Sequence, residues 1–222
     1  MNKTLSAVRS FTGSDADLVA LAAAGEAPAF EALMRRYNRM LFRTARAILR
    51  DDAEAEDALQ EAYMQAYRSL ASFRAEARFS TWLARIVANE ALMRLRKQAR
   101  RASIVPMHSP DEGMEQVPGV DIEKPEASAE RAEMRRLLEA RIDALPEAYR
   151  TVFMLRAVEE LSAEETAAVL DIPAATVRTR FFRARSLLRE ALAQQVDLAC
   201  EDAFSFDGAR CDRIVAGVLA RI

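Results

Sequence analysis

Arg178, Arg180, Arg183 and Arg185 lie close together in the C-terminal third of the chain, and no acidic residue occurs between Pro173 and Leu188. Guanidinium groups pair bidentately with guanine edges and hold phosphates, so the chemistry on offer is nucleic-acid recognition. On a helix, the spacing of Val177, Phe181, Ala184 and Leu188 makes one apolar stripe that should face a core. Ala175, Thr179, Phe182, Arg183 and Ser186 are then left on the opposite side, with Arg178, Arg180 and Arg185 on the flanks. An acid-free, arginine-rich outer face suits a DNA major groove. A solvated basic helix in a small bundle is the plainer reading. The turn, the cap and the charge bias around this helix together favour DNA.

The element that positions these residues is the stretch 161–192, which reads as two helices joined by a tight turn. Ser162 can cap the first helix, and Glu165, three residues on, completes a capping box. Ala167, Ala168 and Leu170 carry its apolar side. Asp171, Ile172 and Pro173 break it, because proline fixes its own backbone angle and disfavours helical geometry in the residue before it. The second helix starts near Ala174.

A second cluster lies in 72–101. Phe73, Phe79 and Trp82 are interleaved with Arg74, Arg78 and Arg85. Aromatic rings beside arginines supply what single-stranded DNA needs, stacking surfaces for bases and cations for phosphates. The spacing predicts a short polar loop and then a helix from Ser80 or Thr81, strongly basic at its end with Arg94, Arg96, Lys97, Arg100 and Arg101. The competing assignment buries Phe79 and Trp82 in a core. A third cluster lies on a helix that Asp51 should cap. Ala55, Leu59, Ala62, Ala66 and Leu70 form its core stripe, leaving Asp57, Gln60, Glu61 and Met64 outside. A methionine among acids and amides suits a protein-binding surface, and chance explains it equally well.

Catalytic chemistry finds little support. The single histidine, His108, falls in a linker, with no nucleophile or carboxylate spaced around it. Cys200 and Cys211 read as reduced thiols without nearby metal ligands. No phosphate loop, metal cluster or nucleophile–base set occurs, so the expectation is a non-enzymatic protein with no metal and no cofactor. Charged residues make up 30% of the 222, yet the net charge is only -2, so the charges matter by their segregation. Glycines and prolines are few and helix formers dominate, which favours an all-α fold. No apolar run suits a signal peptide or a membrane span, so a cytoplasmic protein is expected.

Taken along the chain, 1–13 lacks periodicity. Ser14 and Asp17 signal the cap of a short helix through Ala24, and Pro28 suits the first turn of a helix reaching Arg50. Its stripe is Phe30, Leu33, Tyr37, Leu41, Ala45 and Ile48. Residues 103–128 hold four of the seven prolines and no sustained period, and the acids of 111–133 outnumber the bases, as expected of a flexible acidic linker. Helical pattern resumes near Ala129, with Met134, Leu137, Leu138 and Ile142 as its stripe. A further helix from Glu147 to Val158 should bury Tyr149, Val152, Phe153 and Leu155. Beyond Val196, a turn at Asp207 and Gly208 precedes an amphipathic helix with Ile214, Val215, Val218, Leu219 and Ile222 on one side. It is too short to be stable alone, so it should pack on a domain or a partner. The organisation is two small helical domains, 14–102 and 129–195, joined by the linker 103–128 and followed by an extension, 196–222.

Several stretches resemble the extracytoplasmic-function (ECF) group of bacterial RNA polymerase sigma factors. Asp57-Ala58-Leu59-Gln60-Glu61 resembles the core-polymerase docking motif of that family. Phe79-Ser80-Thr81-Trp82-Leu83, then Asn89 and Leu95-Arg96-Lys97, resembles its promoter-melting and minus-ten helix. Leu145-Pro146, Leu161-Ser162, Glu164-Glu165 and Thr176-Val177-Arg178-Thr179-Arg180 resemble its second domain. The resemblance implies that Asp57, Gln60, Glu61 and Met64 dock on the clamp coiled coil of the largest polymerase subunit. It implies that the loop 72–80 holds a flipped base of the minus-ten element. Phe73, Arg74, Arg78, Phe79, Ser80, Trp82, Arg85 and Asn89 would line that single-stranded and duplex contact. Thr176, Arg178, Thr179, Arg180, Phe182, Arg183 and Arg185 would read the minus-thirty-five element. Core polymerase, promoter DNA and an anti-sigma factor are the implied partners, and stress response is the implied setting. Asp171 and Ala175 stand where glycines are common in the family, and Met93 where an acid is frequent. The extension has no counterpart in the minimal family. The rival reading, a helix-turn-helix regulator that works without polymerase, explains 161–192 and leaves the docking motif and the aromatic loop without a role.

Overall fold

The computed structural model describes residues 13–104, 125–202 and 208–221. Among them there are nine α-helices and no strand. Helix α1 (Asp15–Ala23) starts at the expected cap: the Ser14 hydroxyl accepts the Asp17 N–H at 3.3 Å, and Asp17 Oδ2 accepts the Ser14 N–H at 3.1 Å. Helix α2 (Ala27–Leu49) has Pro28 in its first turn and ends on Arg50, which is left-handed at φ 62°. Asp51 caps α3 (Asp52–Ser69) by accepting the Glu54 N–H at 2.7 Å. A 3₁₀ turn (Leu70–Ser72) and a short loop lead into α4 (Phe79–Ile104).

Helices α2, α3 and α4 pack on one another around Leu33, Leu41, Ile48, Leu59, Leu83 and Val87. Each such side chain contributes about 1.5–3 kcal/mol by leaving water. The expected α2 and α3 stripes are buried, except that Tyr37 is half-exposed. Two polar ties fix the bundle. The Tyr63 hydroxyl donates to Asn38 Oδ1 at 2.7 Å, joining α3 to α2. Arg94 on α4 donates to Glu90 at 2.8 Å and to Glu54 of α3 at 3.4 Å.

The second half holds α5 (Pro125–Asp143), α6 (Glu147–Phe153), α7 (Ala163–Leu170), α8 (Ala174–Asp202) and α9 (Gly208–Leu219). The expected helix over 147–158 changes character after Phe153, becoming a π-helical turn at Met154–Val158. Its core matches expectation at Val152 and Leu155, which are fully buried. Helix α5 starts at Pro125, inside the expected linker. The rest of that linker, 105–124, lies outside the described residues, His108 with it.

One expected apolar stripe is not buried, and another finds no cover on either domain, which leaves the partner alternative open. Met134 and Leu138 on α5 are 56% and 39% exposed, because this helix meets α8 only toward its C-terminal end, where Ile142 packs with Leu145, Ala184 and Leu188. On α9, Ile214, Val215, Val218 and Leu219 are all at least half exposed, so among the described residues neither domain covers the face expected to pack. Helix α8 also runs on without a break to Asp202, past the expected boundary at Val196.

The halves are in direct contact, which no periodicity in the sequence foretold. Helix α7 lies against α4, and α6 against α2. Leu155, Leu161 and Val169 join the core cluster of the first half. Arg150 of α6 is 3% exposed; its guanidinium donates to the Ala47 carbonyl at 2.5 Å and to the Leu145 carbonyl at 2.7 Å.

Candidate nucleic-acid interface

The helix-turn-helix forms as its local sequence requires. The Ser162 hydroxyl accepts the Glu165 N–H at 3.0 Å, and Glu165 Oε2 accepts the Ser162 N–H at 2.8 Å. This reciprocal pair holds the Glu165 carboxyl below the usual glutamate range, chiefly through the backbone N–H of Ser162; burial works against it, and Arg78 nearby assists. Helix α7 ends on Asp171 at φ +53°, a left-handed position that explains why glycine is common there in the resembling family. Val177 and Ala184 are fully buried, Leu188 is buried and Phe181 half-buried, so the expected stripe of α8 faces inward.

Its outer face is then laid out as expected. Ala175, Arg178, Thr179, Phe182, Arg183 and Arg185 are exposed, while Thr176, Arg180 and Ser186 are partly covered. Phe182 is 77% exposed, so it contributes little to the core and presents a large apolar surface to solvent. Arg178 pairs with Glu164 of α7 at 2.6 Å across an exposed edge. Beside Phe182 lies a cleft of about 220 Å³ lined by Arg156, Arg178, Phe181, Arg185 and Arg189, among others. The Arg156 and Arg185 guanidiniums lie 5.4 and 5.8 Å from the centre of the Phe181 ring, in cation–π range. Arg156 and Arg189 were missed by sequence reasoning. Arg189 continues the arginine face one turn beyond Arg185, whereas Arg156 comes from the π-helical turn and has no local signal.

The aromatic–basic segment is a compact cluster. Phe79 and Trp82 stack with ring centres 5.5 Å apart, and Phe73 meets both rings, at 5.3 and 5.4 Å. Phe79 is 3% exposed and forms the first residue of α4, so it is a core residue here, while Phe73 and Trp82 are half-buried. Arg74, Arg78, Arg85 and Asn89 are exposed around the cluster and Ser80 is partly covered. Arg78 reaches Glu165 of α7 at 3.4 Å.

Asp57, Gln60, Glu61 and Met64 are all exposed along α3, with Met64 at 50%. Gln60 also borders a groove of about 620 Å³ between α2 and α3, whose other wall carries Arg35, Arg39 and Phe42. Glu56 and Gln60 of α3 thus stand across an open groove from Arg35 and Arg39 of α2, which also contributes Glu31, a mixed-charge surface of the kind seen at protein interfaces. Among the described residues, no group of three or more His, Cys, Asp or Glu could hold a metal ion, and no helix is long and apolar enough to cross a membrane.

Comparison with known proteins bears on both halves. Residues 33–101 match the family model of sigma-70 region 2, and residues 135–188 match that of sigma-70 region 4. The RNA polymerase sigma-H factor of Pseudomonas aeruginosa is 37% identical over 80% of this chain and 93% of its own length. The ECF RNA polymerase sigma-E factor of Haemophilus influenzae is 36% identical over 81% and 95%. The chain belongs to the ECF RNA polymerase sigma factors. SigW of Bacillus subtilis, another ECF sigma factor, is 34% identical over 76% of this chain. The solved structure of CnrH in complex with the cytosolic domain of CnrY is 26% identical, covers 82% of this chain and 99% of CnrH, and gives a TM-score of 0.56. The sigma factor RpoE of Bartonella quintana, solved in complex with the anti-sigma factor NepR, shares the fold at a TM-score of 0.54. As a sigma factor the chain is an initiation factor, and the chemistry of RNA synthesis belongs to the polymerase.

Proposed function

We propose that this sigma factor docks on core RNA polymerase through Asp57, Gln60, Glu61 and Met64, reads a minus-thirty-five element with α8, and traps an unpaired minus-ten strand with residues 73–89. The observation that carries the reading is the outer face of α8. Arg178, Arg183 and Arg185 are exposed beside a phenylalanine that contributes almost nothing to the core. Arginine forks suit guanine edges and phosphates, and an apolar ring suits a thymine methyl group. The exposed acids, amide and methionine of α3 supply a separate protein-facing surface, which a polymerase-independent regulator would not need.

The mechanism is binding without covalent chemistry. Docking places the two DNA-reading surfaces on one polymerase, and stacking in the aromatic segment offsets the cost of unpairing bases. The working place is therefore the cytoplasm, beside polymerase. Interaction with an anti-sigma factor fits the same reading, since RpoE of Bartonella quintana was solved with the anti-sigma factor NepR and CnrH with the cytosolic domain of CnrY. Permanganate footprinting tests the melting step: core polymerase plus this chain should create reactive, unpaired thymines upstream of the start site. Duplex protection without any reactive thymine would overturn it.

A further inference from the structure

We propose that α1 positions the minus-ten segment, and that Asp15 and Tyr37 are the positioning residues through which it does so. The inference rests on the reading of residues 73–89 given above and adds the support behind it. By sequence pattern Tyr37 is one more member of the apolar stripe of α2, yet its ring is only half-buried. That ring lies against Phe79, with centres 6.1 Å apart and planes at 61°. Phe79 in turn meets Phe73 at 5.3 Å and stacks on Trp82 at 5.5 Å. A continuous run of rings therefore leads from α2 to the two half-buried rings, Phe73 and Trp82, that reach solvent. Phe79 is 3% exposed, so what it offers the segment is support.

The far end of the Tyr37 ring is held by α1. Its hydroxyl donates to one oxygen of Asp15, and the other oxygen accepts from Arg36 at 2.5 Å. Arg36 also donates to the Gly13 carbonyl at 3.0 Å. Burial, and then the Asp15 carboxylate, push the Tyr37 pKa up, so the hydroxyl remains a proton donor at any working pH. A charged acceptor makes such a hydrogen bond stronger than a neutral one. The helix that carries Asp15 is itself firmly seated. Leu18 is fully buried and Ala22 is 3% exposed in the core of the first half, and the Ser14 capping box closes its N-terminus.

Helix α1 also touches the 3₁₀ turn Leu70–Ser72, whose Leu70 is 3% exposed. One helix thus braces the loop at both ends: directly at the 3₁₀ turn, and through Tyr37 at Phe79, the first residue of α4. Between these ends residues 74–78 are all exposed, with only the ion pair of Arg78 and Glu165 to hold them. A loop with no buried side chain takes its shape from its ends. A site that must stack an unpaired base depends on supporting residues to hold its rings within a fraction of an ångström, and small misplacements there cost much of its affinity.

The test uses the full chain bound to core polymerase, on a promoter selected from a randomised library. Asp15→Ala and Tyr37→Phe each remove the hydrogen bond and keep a ring at position 37. Each should weaken binding to a fork template, duplex over the upstream motif and single-stranded over the downstream one, by about tenfold, with permanganate reactivity on the duplex promoter falling in step. Affinity for core polymerase, and for a duplex carrying the upstream motif alone, should stay unchanged. The double variant should lose no more than the worse single one, because both break the same interaction. Loss of folded protein would instead lower the amplitude of every titration by one factor and leave the midpoints in place. That pattern, additive losses, or unaltered fork binding in both variants would overturn the proposal. Trp82→Ala tests the reading beneath it. If Trp82→Ala also leaves fork binding unchanged, the minus-ten reading has failed; if Trp82→Ala alone weakens it, that reading stands and α1 has no part in it.

Discussion

Phe182 and Glu90 mark the two extremes of what a side chain does in this molecule. Phe182 is 77% exposed. Phe182→Ala is therefore expected to leave the thermal midpoint nearly unchanged while weakening promoter binding, which calorimetry and a promoter-binding titration with polymerase would check. Glu90 is buried at 8% exposure, and Arg94 is its ion-pair partner. Arg94→Met should cost about 1–3 kcal/mol in urea unfolding, because it leaves a carboxylate inside without its cation. Arg183→Ala should cost about 1–3 kcal/mol at one promoter position if the guanidinium pairs with a base, whereas a phosphate contact would give a uniform loss across sequences. These residues differ in how legible they are in sequence. The arginines of α8 stand out because acids are absent around them. The burial of Phe79 does not, since an aromatic at a helix start can face either way and only the packing of Phe73 and Trp82 decides it. Arg150 gave no signal at all: its partners in the other half are carbonyls about a hundred residues away, and backbone atoms carry no residue type.

At the scale of elements, local rules predict most of what is seen. Both capping boxes, at Ser14 and Ser162, form as their spacing requires. Ser162→Ala should lower stability by about 0.5–2 kcal/mol, measured by thermal or urea unfolding, because the first N–H groups of α7 lose their acceptor. Asp171→Gly should act in the opposite direction, raising stability by about 0.5–1 kcal/mol, since glycine adopts the left-handed backbone at φ +53° without a Cβ clash. The stripes of α2, α3 and α8 were legible because each of these helices is packed along much of its length. The stripe of α5 misled for the converse reason. Periodicity shows that a face could be buried, and only tertiary placement decides whether a neighbour covers it; among the described residues none covers Met134 or Leu138. The same limit applies to α9, whose apolar face was expected to pack on a domain or a partner and is covered by neither domain among the described residues.

Across the whole molecule, the contact of α7 with α4 links the helix-turn-helix to the aromatic segment, and Glu165 stands at that joint. Its carboxyl is held below the ordinary value of 4.5, first by the Ser162 backbone N–H. A carboxyl depressed in the folded state adds stability that is present in full above the unfolded value and is lost as pH falls through the folded one. The contribution of Glu165 should therefore be complete at neutral pH and fade below about 4.5. Glu165→Gln should lower stability near pH 7 and flatten the acid limb of a stability–pH profile. Two helical halves and their surfaces were readable from sequence; their mutual contact was not, because long-range pairing leaves no periodic trace. The most direct measurement is transcription from a randomised promoter library, with purified core polymerase alone and with this chain added. New start sites that share two spaced upstream motifs are the expected result. Absence of new start sites, together with duplex binding indifferent to polymerase, would contradict the assignment of these surfaces to promoter opening and leave a polymerase-independent regulator in its place.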